Sequence, residues 1–289
     1  MNASEINKIM MEAAVGDAVS QYELGIAFFY GDGVKQDFFE SVKWLRKAAE
    51  QGLADAQCDL GICYYEGKGV PQDYEEAIKW TRKAAEQGFV KAQHDLGIHY
   101  SLGKGVPQDY EEAIKWTRKA AEQGFANAQY DLGIYYYEGK GVPQDYEEAI
   151  KWTRKAAEQG HVSAQFNLGA LYYMGKGVPQ DYEEAIKWTR KAAEQGDVEA
   201  QYNIGVIYYK GEGGVKLDYD EAFKWFLKAA KQGHIQAMYS VGRIHEKDGN
   251  RIGAKKWYSM AVEKGYEPAK EGLRRTKTWW SWFWSGSGL

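Results

Sequence analysis

Cysteine and histidine recur at matched places in this chain. Cys58 and His94 stand 36 residues apart, and so do Cys63 and His99. Both residue types ligate zinc, so a shared register is what a metal site would require. No third or fourth ligand recurs at a matching spacing, and neither a metal nor a cofactor is expected. Around the five histidines, His94, His99, His161, His234 and His245, no carboxylate or nucleophile recurs in a fixed arrangement. General-base and nucleophilic catalysis need such an arrangement. The Gly-Lys-Gly-Val runs that begin at Gly67, Gly103, Gly139 and Gly175 also carry lysine between glycines. They lack the four-residue gap and the Gly-Lys-Ser/Thr ending of a phosphate-binding loop. They read as turns between helices, and the chain reads as a non-enzyme.

The chemistry left is recognition by aromatic side chains, and the elements that carry them repeat. The 22 residues GKGVPQDYEEAIKWTRKAAEQG occur at 67–88, 103–124, 139–160 and 175–196, with a period of 36. A fixed period of this size marks a helical solenoid, whose units bury their apolar faces against their neighbours. The 14 residues ahead of each block vary, so half of each unit is frame and half is free to carry information. Counted from the leading glycines Gly16, Gly52, Gly88, Gly124, Gly160, Gly196 and Gly233, positions 6, 10, 13 and 14 share one helical face. Position 6 reads Tyr22, Cys58, His94, Tyr130, Phe166, Tyr202 and Tyr239, and position 13 includes Tyr137, Tyr173 and Tyr209. This aromatic ladder centres on repeats four to six. Tyrosine pairs a large apolar ring with a polar tip, which suits a binding surface. Tyr130, Tyr137, Phe166, Tyr173, Tyr202 and Tyr209 are its candidate partner-binding residues. The other reading is that these rings pack between adjacent first helices, with hydroxyls reaching solvent.

Within a unit, Ala92, Leu96, Gly97 and Tyr100 follow helical spacing and predict a first helix over about 90–102. Gly103 and Pro107 end it. Asp109 then caps a second helix, with Glu112 placed to complete a capping box. Glycines inside the first helices (Gly61, Gly97, Gly133, Gly169, Gly205) predict close approach of the partner helix, because glycine there otherwise costs about 1 kcal/mol. One tryptophan per unit, such as Trp80 or Trp116, fills the space between helices. The charges Glu111, Lys115, Arg118 and Lys119 read as a solvated stripe with i, i+4 pairing. Residues 1–15 read as an N-terminal capping helix, 16–264 as the solenoid, 265–278 as a C-terminal capping helix and 279–289 as a tryptophan-rich tail.

The run Ala92-Gln93, Leu96-Gly97, Tyr100, Gly103-Lys104-Gly105-Val106, Ala113, Trp116 and Ala120-Ala121, repeated over residues 16–273, resembles the Sel-one-like repeat (SLR) family, an offshoot of the tetratricopeptide repeats. The resemblance implies an all-α, right-handed αα-superhelical solenoid of about seven 36-residue helix-turn-helix repeats, with the first helices on a concave side. It further implies a bacterial adaptor or scaffold in protein complexes, with some relatives in signalling, host interaction or protection against toxins. Relatives with a disulfide in each repeat are a poor match, since this chain lacks their paired cysteines. Fold transfers between such relatives; function does not.

The 37 basic and 41 acidic side chains leave a formal charge of −4, without the basic excess that nucleic-acid binding needs. Cys58 and Cys63 lie five residues apart on one predicted helix and cannot bridge each other. With no signal-peptide pattern at the start and no apolar run near ~20 residues, a cytoplasmic location is expected. The tail contains Trp279, Trp280, Trp282, Phe283 and Trp284 after a basic run. Three readings stand for it: a cap on the last helices, a docking segment using Trp280 and Trp282, or a peripheral membrane contact. For the chain as a whole, the leading expectation is an adaptor holding a protein or peptide partner in the groove. The alternatives are an immunity or inhibitor protein that blocks a toxic enzyme, and a passive spacer.

Overall fold

The computed structural model describes the backbone of residues 1–285 and the side chains of residues 1–276, and among these every regular element is a helix. A leading helix, α1 (Ala3–Ala14), precedes seven helix pairs. The first helices of the pairs are α2 (Ala18–Tyr30), α4 (Ala54–Glu66), α6 (Val90–Leu102), α8 (Ala126–Glu138), α10 (Val162–Met174), α12 (Val198–Lys210) and α14 (Ile235–Lys247). The second helices are α3 (Phe38–Glu50), α5 (Tyr74–Glu86), α7 (Tyr110–Glu122), α9 (Tyr146–Glu158), α11 (Tyr182–Glu194), α13 (Tyr219–Lys231) and α15 (Arg251–Glu263). A final helix, α16 (Pro268–Ser285), runs on past residue 278. The chain divides into two compact units, Met1–Ala156 and Ala157–Leu289, each an all-α solenoid of stacked pairs.

The second helices start where their aspartates stand. The Asp109 carboxylate accepts from the backbone N–H groups of Glu111 (2.9 Å) and Glu112 (3.1 Å), satisfying two donors that the first turn leaves open. The expected return bond from the third-position glutamate does not form in these repeats. Glu112 instead accepts from Lys115 at 2.7 Å, and Glu148 and Glu184 accept from the indoles of Trp152 and Trp188 at 3.0 Å. In those two repeats the glutamate serves a buried indole N–H, whereas the buried indole N–H groups of Trp80 and Trp116 have no hydrogen-bond partner among the described residues.

Helix approach follows the predicted glycines. A Cβ on Gly97 would lie 2.4 Å from Thr117 Oγ1 and 3.0 Å from the Ala113 carbonyl oxygen, so only hydrogen fits there. The opposing residue changes along the chain, with Leu45 facing Gly25, Phe226 facing Gly205 and Tyr258 facing Gly242. In the turns, Gly105 sits at φ +77°, and a Cβ would meet the Tyr74 carbonyl oxygen at 2.3 Å. Gly69 and Gly141 meet Phe38 and Tyr110 in the same way, so the second glycine of these runs seats the turn on the start of the preceding second helix. Trp80, Trp116, Trp152, Trp188 and Trp225 are buried, Trp116 to 6% exposure, and each is roofed by the lysine three residues on; Lys119 Nζ lies 3.9 Å from the Trp116 ring.

At the carboxyl end, α16 packs on α15 as the first helix of a further repeat would. Tyr258, fully buried, is pressed between Gly242 and Gly272, and its hydroxyl donates to Glu246 at 2.7 Å. Arg275 closes the corner with two bonds to the Glu246 carboxylate, at 2.7 and 2.9 Å, holding it below the usual carboxylate range.

Candidate interaction surface

The frame that presents the variable residues is held by a glutamine ladder. Gln57, buried on α4, donates to the Ala49 carbonyl at the end of α3 (3.0 Å). Gln87, at the end of α5, then donates to Gln57 Oε1 (2.8 Å) and to the Gly52 carbonyl (3.0 Å). The same links join Gln21 and Gln51, and Gln93 and Gln123, in the first unit, and Gln165 and Gln195, and Gln201 and Gln232, in the second. Each buried glutamine satisfies a carbonyl that the helix end leaves without a partner. The ladder stops in the last repeat, where Met238 and Lys264 replace both members together. The paired recurrence of Ala-Gln and Glu-Gln-Gly was the signal available in the sequence.

The second-helix charges are less idle than a solvated stripe. Arg118 donates to the Tyr136 hydroxyl at 2.5 Å, and Arg82 and Arg190 do the same to Tyr100 (2.8 Å) and Tyr208 (2.6 Å). Lys119 covers Trp116, and the ion pair forms at i, i+3 between Glu112 and Lys115 rather than from Glu111. The arginine reaches the next repeat's first helix because its long stem spans the gap and its planar head suits the phenol oxygen.

On the first helices of the first unit, position 6 is engaged across repeats. Tyr22 donates to Asp59 at 3.0 Å, Cys58 lies 3.8 Å from Asp95, and His94 Nε2 lies 2.8 Å from Asp131. Cys58 and His94 are buried, at 1% and 7% exposure. The Cys58/His94 register thus holds neighbouring helices together, and burial raises the thiol pKa. Cys63 is also a free, buried thiol, pushed up to about 12. Among the described residues, no group of three or more His, Cys, Asp or Glu side chains is placed to hold a metal. Tyr130 is half-buried on α8, and the ring of Tyr137 lies 5.4 Å from that of Tyr146 on the next helix.

The second unit arranges the same positions differently. Phe166 and Tyr173 on α10 line a pocket of about 420 Å³ with Ala170, Met174, Val206 and Lys210. Tyr173 and Met174 stay 47% and 46% exposed. Tyr202 stacks on His234, ring centroids 4.4 Å apart, and packs near Phe226, so burial raises its hydroxyl pKa. Tyr209 packs edge-on against Tyr219 at 5.2 Å. The structure therefore brings Phe166 and Tyr173 into one cavity and draws Tyr202 into the packing of the last repeats. Trp280 and Trp282 lie outside the residues whose side chains are described. No described helix is long and apolar enough to cross a membrane.

The Sel1 repeat family model matches seven times, at residues 18–53, 54–89, 90–125, 126–161, 162–197, 198–234 and 235–266. The fold is similar to that of a Sel1 repeat protein from Oxalobacter formigenes, at 35% identity and TM-score 0.78 over 93% of this chain and 79% of that one. It is similar also to a protective antigen of uropathogenic Escherichia coli strains displaying an SLR fold, at 34% identity and TM-score 0.77. That match covers 93% of this chain and 66% of the antigen's length. An immunity protein from Pseudomonas aeruginosa is more remote, at 23% identity and TM-score 0.42 over 75% of this chain and 83% of that one. No curated protein matches the chain.

Proposed function

The chain belongs to the Sel1 repeat family, and we propose that it is a non-enzymatic scaffold that holds a protein or peptide partner on the face of its first helices. One observation carries this reading. The second helices repeat the same capped, tryptophan-filled frame, while the first helices vary and leave large apolar side chains exposed around a pocket lined by Phe166, Tyr173 and Met174. Apolar anchors beside polar groups in a concavity are what partner recognition uses.

The test is affinity capture from lysate with wild-type bait and with a variant carrying Tyr130→Ala, Tyr137→Ala, Tyr173→Ala and Tyr202→Ala, its fold checked by circular dichroism. Loss of a partner by the folded variant is the expected result. Retention of every partner would move the working surface elsewhere, with the segment holding Trp280 and Trp282 as the next place to probe. The captured partner also separates two roles. An adaptor binds without inhibiting, whereas an inhibitor of a toxic enzyme binds a folded domain and abolishes its activity.

A further inference from the structure

The pocket on the second unit differs from its counterpart in the first by its lining: at the same register the first unit has a cavity of about 350 Å³ lined by Ile62, Glu66, Asp95 and Ile98, where the second has Ala170, Met174, Asn203 and Val206. Position 10 of the first helices is isoleucine in four repeats (Ile26, Ile62, Ile98, Ile134), then becomes Ala170, Val206 and Arg243. Ala170 and Val206 line the cavity of about 420 Å³, a size that accepts a large apolar side chain. Its mouth is framed by Tyr173 and Met174, and by Lys210, which is 3.2 Å from Glu212.

Beyond that mouth, in the same unit, the face is cationic. Arg243 lies over the rings of Tyr209 (5.6 Å) and Tyr239 (6.0 Å), and Lys247 lies 3.1 Å from the Tyr219 ring centroid. Among the described residues, neither cation has a carboxylate within ion-pair distance, and both are exposed. The neighbouring Glu246 is already held by Arg275 and Tyr258. Arg243 feels the Glu246 charge without pairing with it, and an apolar cavity followed by two exposed, unpaired cations is complementary to an acidic segment.

We infer that this unit binds a peptide segment in which one large apolar side chain enters the Ala170 pocket and carboxylates beside it meet Arg243 and Lys247. The inference rests on the reading of the first helices as the binding face, and it names what that face takes. The order is set by the repeats: the apolar anchor lies against repeats five and six, and the acidic residues toward repeat seven.

Panning a phage-displayed random dodecapeptide library on the full-length protein tests this. The expected enrichment is for peptides with one large apolar residue next to Asp or Glu. A fluorescein-labelled copy of an enriched peptide should bind Ala170→Ile at least about tenfold more weakly, because the added carbons take part of the space that the apolar anchor occupies. Arg243→Glu combined with Lys247→Glu should weaken it about as much and flatten its dependence on salt. Isoleucine is native to the same register in four repeats, and the charge reversals are on the surface, so neither variant depends on the other folding. No enrichment, enrichment of basic or uncharged peptides, or undiminished binding to either variant overturns the inference. Peptides kept by both variants yet lost by the four-tyrosine variant would leave the first-helix face standing and remove only this pocket. Peptides kept by all three would remove both.

Discussion

The two units share one frame and carry opposite faces. In the first unit, the first helices hold seven carboxylates against the single cation Lys91; in the second they hold Glu199 and Glu246 against Lys210, Arg243 and Lys247. Position 7 is Asp59, Asp95 and Asp131 in the first unit, and Asn167, Asn203 and Ser240 in the second. Those aspartates receive Tyr22, Cys58 and His94 from the repeat before, so the first unit uses its variable positions to tie helices together. Both units have a cavity at this register; in the first it is lined by Glu66 and Asp95 beside Ile62, and in the second Met174 and Asn203 stand where those acids were, with Ala170 in place of the isoleucine. The second helices α5, α7, α9 and α11 are identical, and α3, α13 and α15 keep the tryptophan. In the first unit the variable positions serve packing between repeats, and on the proposed function those of the second unit serve recognition.

The largest expected effects test whether the frame is in fact common. Trp116 and Trp188 are 6% and 5% exposed, each roofed by a lysine about 4 Å away. Trp116→Ala and Trp188→Ala should each cost roughly 3–5 kcal/mol in urea unfolding. Trp188→Ala also loses an indole bond to Glu184 that Trp116 lacks, so its cost should be the larger by about 1 kcal/mol, and a clearly smaller cost at Trp188 would mean that the units do not share a frame. Next in size, Gly97→Ala and Gly205→Ala should each cost about 1–3 kcal/mol by overpacking. The new methyl meets Thr117 Oγ1 at 2.4 Å in one case and the Phe226 ring at 2.6 Å in the other. A neutral result at Gly205 would show that the buried Phe226 ring moves aside, which the packing around Tyr202 and Tyr209 opposes.

What the sequence made legible was whatever a single repeat contains. Aspartate caps, the helical glycines and the tryptophans all follow from local spacing. Contacts between repeats were harder, because they depend on how one pair is staggered against the next. Tyr22 finds Asp59 across 37 residues, and Gln87 finds Gln57 across 30, distances that no in-helix spacing rule reports. Arg118 read as solvated because its charge pattern was local, whereas its partner Tyr136 sits on the next first helix. Phe166 and Tyr173 were legible as one face, but the cavity between them was not. It lies between the first helices of successive repeats, as does its counterpart at Ile62, and no spacing within one helix reports it.

The faces also differ in what acid should do. His99, 5% exposed in the first unit, has a neutral ring whose Nδ1 lies 3.1 Å from the Lys104 carbonyl oxygen, while the Tyr65 ring packs edge-on against it. Burial lowers its pKa from 6.5, and the Lys104 charge adds to this against the favourable carbonyl contact. A depressed folded-state pKa means stability that is present above 6.5 and is lost as pH falls through the folded value. Melting temperature should therefore drop on acidification, and less so in His99→Leu, leucine being the residue at this register in Leu171. Asp95 lines the same cavity with its pKa raised by burial, which works in the opposite sense, but both proteins retain it. Equal acid sensitivity in the two proteins would place the titrating group elsewhere.

The smallest stability effect should come from the substitution with the largest effect on binding. Ala170→Ile adds three carbons into a cavity of about 420 Å³ at a register where isoleucine is native to Ile98 and Ile134. Overpacking is costly where a core is already filled, and here it is not, so the melting curve should move by less than about 1 kcal/mol equivalent. A large destabilisation would mean that α10 and α12 already touch across this position and that the pocket is not free space. A silent melt with lost peptide binding would assign the open volume to recognition, and would make the step from Ile134 to Ala170 the point where the face changes its purpose.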